Sequence, residues 1–191
     1  MTLEKIVLVT KRTALEGLIA RHGTTSQVKF FLESRGQHFD FYQQAHQAYT
    51  AGINQVKSAV PSGMRFQEVN KEHLATFQVG DKDVIVVVGD PGLFVNTAKY
   101  VGEQPVIMVN PDRERFDDVF TTCYPDGFAR KLQETVAGKY TCEKLTLAQA
   151  VLENGEELYA LNDFLLDEEH ISQHDMKLNL QEKVSGNLLV E

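Results

Sequence analysis

The run Val84-Ile85-Val86-Val87-Val88 constrains this chain more than any other segment, because five consecutive apolar, mostly β-branched residues fit a strand buried on both faces of a sheet. It leads directly into Gly89-Asp90-Pro91-Gly92 and then into the helical pattern Leu93–Val101. Two further runs share its character. Lys5–Thr10 is short, β-branched and closed by polar residues, and Val106-Ile107-Met108-Val109 ends in Asn110-Pro111-Asp112. Strands that alternate with helices imply βαβ units, a parallel sheet, and ligands at the carboxyl ends of the strands.

The helices follow from spacing and punctuation. Leu15, Leu18, Ile19 and His22 recur every three to four residues until Gly23. Thr24-Thr25-Ser26 then offers an N-cap for a second helix through Val28, Phe31 and Leu32 to Gly36. A third spans about Asp40–Ala59 and is broken by Pro61-Ser62-Gly63, after which Arg65–Asn70 alternates like a strand. Another helix is expected at about Asp126–Ala137. Beyond it Lys144–Leu152, Asn154-Gly155 and Leu158–Leu166 form a predicted hairpin, and Met176–Leu180 and Asn187–Val190 are two more candidate strands. The expected class is α/β, with a parallel-sheet lobe over residues 1–140 and a β-rich lobe over 141–191. So small a second sheet has to lean on the first lobe or on a partner chain.

Composition removes several classes of function. The 191 residues are 42% hydrophobic and 24% charged, ordinary for a globular protein and unlike a disordered or disulfide-built one. No apolar run approaches the roughly 20 residues of a membrane-spanning helix, and the Lys5–Val9 run is too short for an export signal. A cytoplasmic protein with reduced Cys123 and Cys142 is therefore expected. The net charge of −8 comes wholly from residues 153–191, where ten acidic residues face two Lys; residues 1–152 balance 17 against 17. Without a basic patch, nucleic-acid binding is disfavoured.

Three segments are able to carry chemistry. Gly89-Asp90-Pro91-Gly92 delivers a strand to a helix start, where backbone N–H groups bind anions; it is either a phosphate seat or a structural turn, and Pro91 removes one donor. Asn110 and Asp112 follow the next strand and should face the same cleft, although Asn110 also suits an Asx turn. Asn162 and Asp163 interrupt an apolar strand and mark a ligand contact or a hydrogen-bonded structural site. His170 and His174 are four apart but lie in a loop-like acidic stretch, so no metal site is assigned to them. Phe30, Phe31, Phe39, Phe41 and Tyr42 are read as helix-packing residues and Cys123 as a packed thiol. Whether Gly36–Pro61 covers the cleft is left open by the sequence.

Val88-Gly89-Asp90-Pro91-Gly92, Val109-Asn110-Pro111-Asp112 and Ala160-Leu161-Asn162-Asp163 resemble, in order and approximate spacing, the Gly-Gly-Asp-Gly, Val-Asn-x-Asp and Ala-Leu-Asn-Glu segments of NAD kinases. Val7–Thr13, Asn96-Thr97-Ala98-Lys99-Tyr100 and Ser185-Gly186 are similar to a bacterial branch of that family. The resemblance implies a two-lobed kinase that moves the terminal phosphate of ATP or polyphosphate to the ribose 2′-hydroxyl of NAD, with a divalent cation such as Mg²⁺. It implies cofactor-binding roles for Gly89, Gly92, Asn110, Asp112, Asn162 and Asp163, and a nucleotide as the ligand.

Two departures accompany it. In the alignment that keeps Gly89 and Gly92, the family's general-base Asp falls on Pro91, and Asp90 stands one residue early. Sliding the register by one aligns Asp90 but puts Val88 and Pro91 where glycines belong. The family also continues past Ser-Gly-x-x-Val, where this sequence reaches Val190-Glu191. The expectation is binding of NAD, NADP or ATP with phosphorylation weak or lost. The alternatives are an active kinase using Asp90 or a partner chain, and a regulatory module that sequesters nucleotide, self-associates or pairs with a full-length kinase.

Overall fold

The computed structural model describes residues 3–115, 119–152, 155–161, 176–177 and 183–190, with backbone alone for 152, 176–177 and 183–190. Strand β1 (Lys5–Thr10) leads to three helices, α1 (Ala14–His22), α2 (Thr25–Glu33) and α3 (Phe39–Ser58). Strand β2 (Arg65–Asn70), a 3₁₀ turn, β3 (Asp83–Val88), α4 (Pro91–Ala98), β4 (Pro105–Val109) and α5 (Phe128–Val136) follow. β5 (Thr141–Leu152), β6 (Glu157–Ala160), β7 (Met176–Lys177) and β8 (Lys183–Val190) close the chain. The class is mixed α/β, as the alternation of strands and helices implies.

The sheet runs β2-β1-β3-β4-β8-β5-β6, with β7 paired to β5. β2, β1, β3 and β4 are mutually parallel, and β8 joins β4 in the same sense. β5 is antiparallel to β8, β6 and β7. The β5–β6 pair matches the expected hairpin in part: Val151 faces Glu157, Gly155 sits at φ +84° beside the turn, and β6 ends at Ala160.

Two-residue alternation explains why β1 and β3 read as unbroken apolar runs. Ile6, Leu8, Val84, Val86 and Val88 point to the face covered by α3 and α5, through Tyr49, Val56, Phe128 and Leu132. Val7, Val9, Ile85 and Val87 point to the opposite face, covered by Leu93 and Phe94 of α4 and by Leu74. Leu15, Val28, Leu32 and Phe39 form a separate small core among α1, α2 and α3. The packing assignment is corrected for two aromatics: Phe30 is 76% and Phe41 59% exposed, so neither is buried among the helices. Cys123 is buried, as a packed thiol should be, and no disulfide joins it to Cys142. Among the described residues no helix is long and apolar enough to cross a membrane.

Candidate functional site

The carboxyl ends of β1, β3 and β4 lie side by side because Val9 registers with Val87, and Val88 with Val109. Three loops therefore leave the sheet at one edge, carrying Lys11, Gly89-Asp90 and Pro111-Asp112. Helix α3 stands over them and presents Tyr42, Ala45, His46 and Tyr49, spaced i, i+3, i+4 and i+7 on one face. Together these elements enclose a cleft of about 470 Å³, within the range of ligand pockets. Phe41, Pro111, Glu114 and Arg115 complete its rim. The segment Gly36–Pro61 thus walls the cleft on one side.

Contact between α3 and the β4 loop is close. A Cβ on Gly52 would lie 2.8 Å from Pro111 Cβ and 3.4 Å from Pro125 Cγ, so only glycine allows the helix to sit this near. From the other direction, Arg115 donates to the Phe41 carbonyl at 2.8 Å and lays its guanidinium 3.8 Å from the Phe41 ring centre. Its Nε also pairs with Asp112 Oδ2 at 2.8 Å.

Asp90 occupies the N-cap of α4. Its Oδ1 accepts the Leu93 N–H at 2.9 Å, while Oδ2 is ion-paired with the Lys11 ammonium. Pro91 takes the first helical position, where a fixed φ and a missing N–H are tolerated best. Gly92 is exposed on the outer side of the turn, and a Cβ there would lie 3.3 Å from Asp90 Oδ1. Lys11 is fixed in turn by its backbone N–H, which donates to the Tyr49 hydroxyl at 2.7 Å. Burial is the main reason the Tyr49 phenol is pushed up to about 12; the Lys11 N–H pulls the other way, and the charges of Asp90, Glu16 and Glu68 add to the rise. His46 Nδ1 lies 3.0 Å from Thr13 Oγ1, the residue that closes a capping box with Glu16 at the start of α1.

The geometry brings Gly89, Asp90 and Asp112 to the cleft. Asn110 is 1% exposed beneath it, its Oδ1 accepting the Asp112 N–H at 2.9 Å, which is the Asx turn. Gly92 belongs to the same turn without lining the cleft. Asn162 and Asp163 lie outside the described residues, as do His170 and His174. Lys11, His46, Tyr49 and Arg115 were not singled out from the sequence. The mixed polar and aromatic spacing of Tyr42, His46 and Tyr49 was the signal that marks a helix face turned toward a ligand rather than toward the core.

Three carboxylates and two cations line the cleft: Asp90 is paired with Lys11, Asp112 with Arg115, and Glu114 stands on the rim. A Mg²⁺ ion therefore finds no open pair of carboxylates, and among the described residues no cluster of three or more His, Cys, Asp or Glu is placed to hold a metal. A divalent cation fits this cleft only if the ligand's own phosphates supply most of its oxygens. A planar ring, by contrast, fits the walls formed by Phe41, Tyr42, Tyr49 and Pro111.

An open α/β sheet with a cleft outside the carboxyl ends of its strands places a ligand site at this edge. No protein-family model matches the chain. Over 88 residues it is 35% identical to the NAD kinase of Saccharophagus degradans, a match covering 44% of this chain and 30% of that relative. The crystal structure of yeast NADH kinase complexed with NADH aligns at a TM-score of 0.47 and 11% identity, over 85% of this chain and 48% of that one. The chain thus spans under half the length of either. Over those 88 residues the chain is similar to part of an NAD kinase.

Proposed function

We propose that this chain is an NAD-kinase-like protein that binds NAD, NADP or ATP in the cleft between α3 and the loops after β1, β3 and β4, with transfer of phosphate to the NAD 2′-hydroxyl weak or lost. One observation carries the second half: the acidic residue of the glycine turn, Asp90, has one oxygen on the Leu93 N–H and the other on Lys11. A general base needs a lone pair within hydrogen-bond reach of the hydroxyl it deprotonates. Both oxygens of Asp90 are already engaged, which weakens the carboxylate as a base, and Pro91 brings no acceptor. Loss of such a base lowers a rate by about 10²–10⁴.

In this reading, residues 1–140 form the nucleotide-binding lobe and residues 141–191 a β-rich substrate lobe tied to it by the β4–β8 pairing. Phe41, Tyr42 and Tyr49 flank the ring of the ligand, Arg115 holds Phe41 and Asp112 in place, and Gly89 lets the backbone pass close beneath. Asn162 and Asp163 contact the ribose, an assignment supported by the Ala-Leu-Asn-Asp motif alone. ATP with Mg²⁺ would supply the phosphoryl group for whatever transfer remains.

The test pairs binding with turnover. Isothermal titration calorimetry with NAD, NADP and ATP should show saturable binding, and NADP formation from NAD, ATP and Mg²⁺ should not exceed that of an Asn162→Ala variant purified in parallel. NADP formation that is saturable and abolished in Asn162→Ala overturns the claim of weak catalysis. Absence of any nucleotide binding overturns the reading as a whole.

A further inference from the structure

A helix N-terminus beside a lysine is an anion seat, since unsatisfied N–H groups and an ammonium converge on one point. At the start of α4 that point holds the Asp90 carboxylate. Oδ1 takes the Leu93 N–H at 2.9 Å, Oδ2 takes Lys11, and the Asp90 carbonyl accepts from Phe94 at 3.3 Å. Pro91 contributes no donor. The Lys11 backbone N–H donates to the Tyr49 hydroxyl at 2.7 Å, which fixes where its side chain starts, and the ammonium at its end is paired with Asp90.

The remaining charges act in the same direction. Arg115 is held by Asp112 at 2.8 Å and by the Phe41 carbonyl at 2.8 Å, and Glu114 adds a further carboxylate to the rim. An entering phosphate would meet three carboxylates and two cations that already have partners. Like charges brought into a partly enclosed cleft repel, and the repulsion grows as water is excluded.

We infer that Asp90 is an internal anion that fills the phosphate seat of this cleft, so that the moiety recognised there is the nucleoside, through its base and ribose, while the phosphates of a nucleotide remain outside. This rests on the proposed nucleotide binding, but its central claim about Asp90 is tested without a nucleotide.

The experiment is calorimetric titration of the full chain and of Asp90→Asn with inorganic pyrophosphate, adenosine and ATP. Asn keeps the N-cap and removes the charge, so the fold is retained; Asp90→Ser serves as a second variant of the same kind, and thermal melts check both. The unsubstituted chain should bind adenosine as well as ATP within about threefold and show no saturable pyrophosphate binding. In Asp90→Asn pyrophosphate should become a ligand, and the ratio of ATP to adenosine affinity should rise about tenfold, the scale of one charge-assisted hydrogen bond. Tight pyrophosphate binding by the unsubstituted chain, or no gain in either folded variant, overturns the inference. Pyrophosphate binding gained in the variants with adenosine and ATP both silent would support the internal anion and overturn the nucleotide reading instead.

Discussion

Gly52→Ala and Gly17→Ala make the same chemical change in two helices and should move stability in opposite directions. Replacing a helical glycine by alanine stabilises by about 0.8–1.0 kcal/mol through backbone entropy and propensity alone. Gly17, in α1, has nothing within 4 Å of its added Cβ, so that gain should appear in full. Gly52, in the middle of α3, would bring its Cβ to 2.8 Å from Pro111 Cβ and 3.5 Å from Pro111 Cα. Its neighbours are proline rings and backbone, which cannot rotate aside as the tip of a long side chain can. Helix and loop must separate by several tenths of an ångström, and overpacking of this kind costs about 1–3 kcal/mol. The strain exceeds the propensity gain, leaving Gly52→Ala destabilised by about 0–2 kcal/mol while Gly17→Ala is stabilised by up to about 1 kcal/mol. For a domain of this size that separates the two melting temperatures by several degrees. Urea denaturation gives both values under one set of conditions. Equal stabilisation by the two substitutions would refute the close approach of α3 to Pro111, and with it the shape of the cleft.

Tyr49→Phe should lose about 1–3 kcal/mol by leaving the Lys11 N–H without its acceptor, and it should also change the alkaline limb of stability. A phenol raised from 10.0 to about 12 by folding keeps its proton longer in the folded state. Its contribution is therefore constant below about pH 9 and lost between about 10 and 12, amounting to about 3 kcal/mol over that window. The stability difference between Tyr49→Phe and the unsubstituted chain, measured by urea denaturation across pH 7–11, should shrink only above about pH 10; a constant difference refutes it. Thr13→Ala removes the capping box of α1 and should cost about 0.5–2 kcal/mol by the same assay. Arg115→Lys should fall short of restoring what Arg115→Ala loses, because Lys cannot stack on Phe41 while holding Asp112 and the Phe41 carbonyl. Equal melting temperatures for Arg115→Lys and the unsubstituted chain would contradict that.

The parallel sheet was legible because burial on both faces leaves no room for polar residues, so β1, β3 and β4 appear as apolar runs with helices between them. The helix start at Thr24 was legible for a local reason, since a capping hydroxyl acts within its own turn; Thr13 caps α1 in the same way and was not singled out. Pairing of β8 with both β4 and β5 is a contact between segments distant in sequence, and alternation within a strand does not name its neighbour. The cleft divides the same way. Gly89, Asp90 and Asp112 follow from strand ends, which local pattern reveals. Lys11 also follows a strand end but was not singled out, while His46 and Arg115 enter through the packing of α3 against the β4 loop, and no spacing along the chain measures that. Phe41 was misassigned because helical periodicity alone does not tell an inward face from one turned toward a cleft.

Asp90-Pro91 is also the strongest helix start available to this turn, and that sets stability against catalysis at one place. Asp is among the best N-caps and Pro among the best first residues, each in its favoured position here. Asp90→Gly combined with Pro91→Asp recreates the Gly-Gly-Asp-Gly order and reverses both advantages. Glycine at the cap loses a few tenths of a kcal/mol, the partly exposed Lys11 pair contributes at most about 1, and loss of the proline releases about 0.4–1 in the unfolded chain. An acidic residue in the first turn returns about 0.3–1 kcal/mol through the helix dipole. The double variant should thus be less stable by about 1 kcal/mol, melting a few degrees lower. Lys11 loses its fixed partner, and the new carboxylate at position 91 stands where it can accept a proton. NADP formation from NAD, ATP and Mg²⁺ should rise above that of the unsubstituted chain, with the gain abolished by Asn162→Ala. A double variant that melts higher than its parent, or that leaves NADP formation unchanged while still binding NAD, would overturn the proposed link between the Asp90-Pro91 turn and weak catalysis.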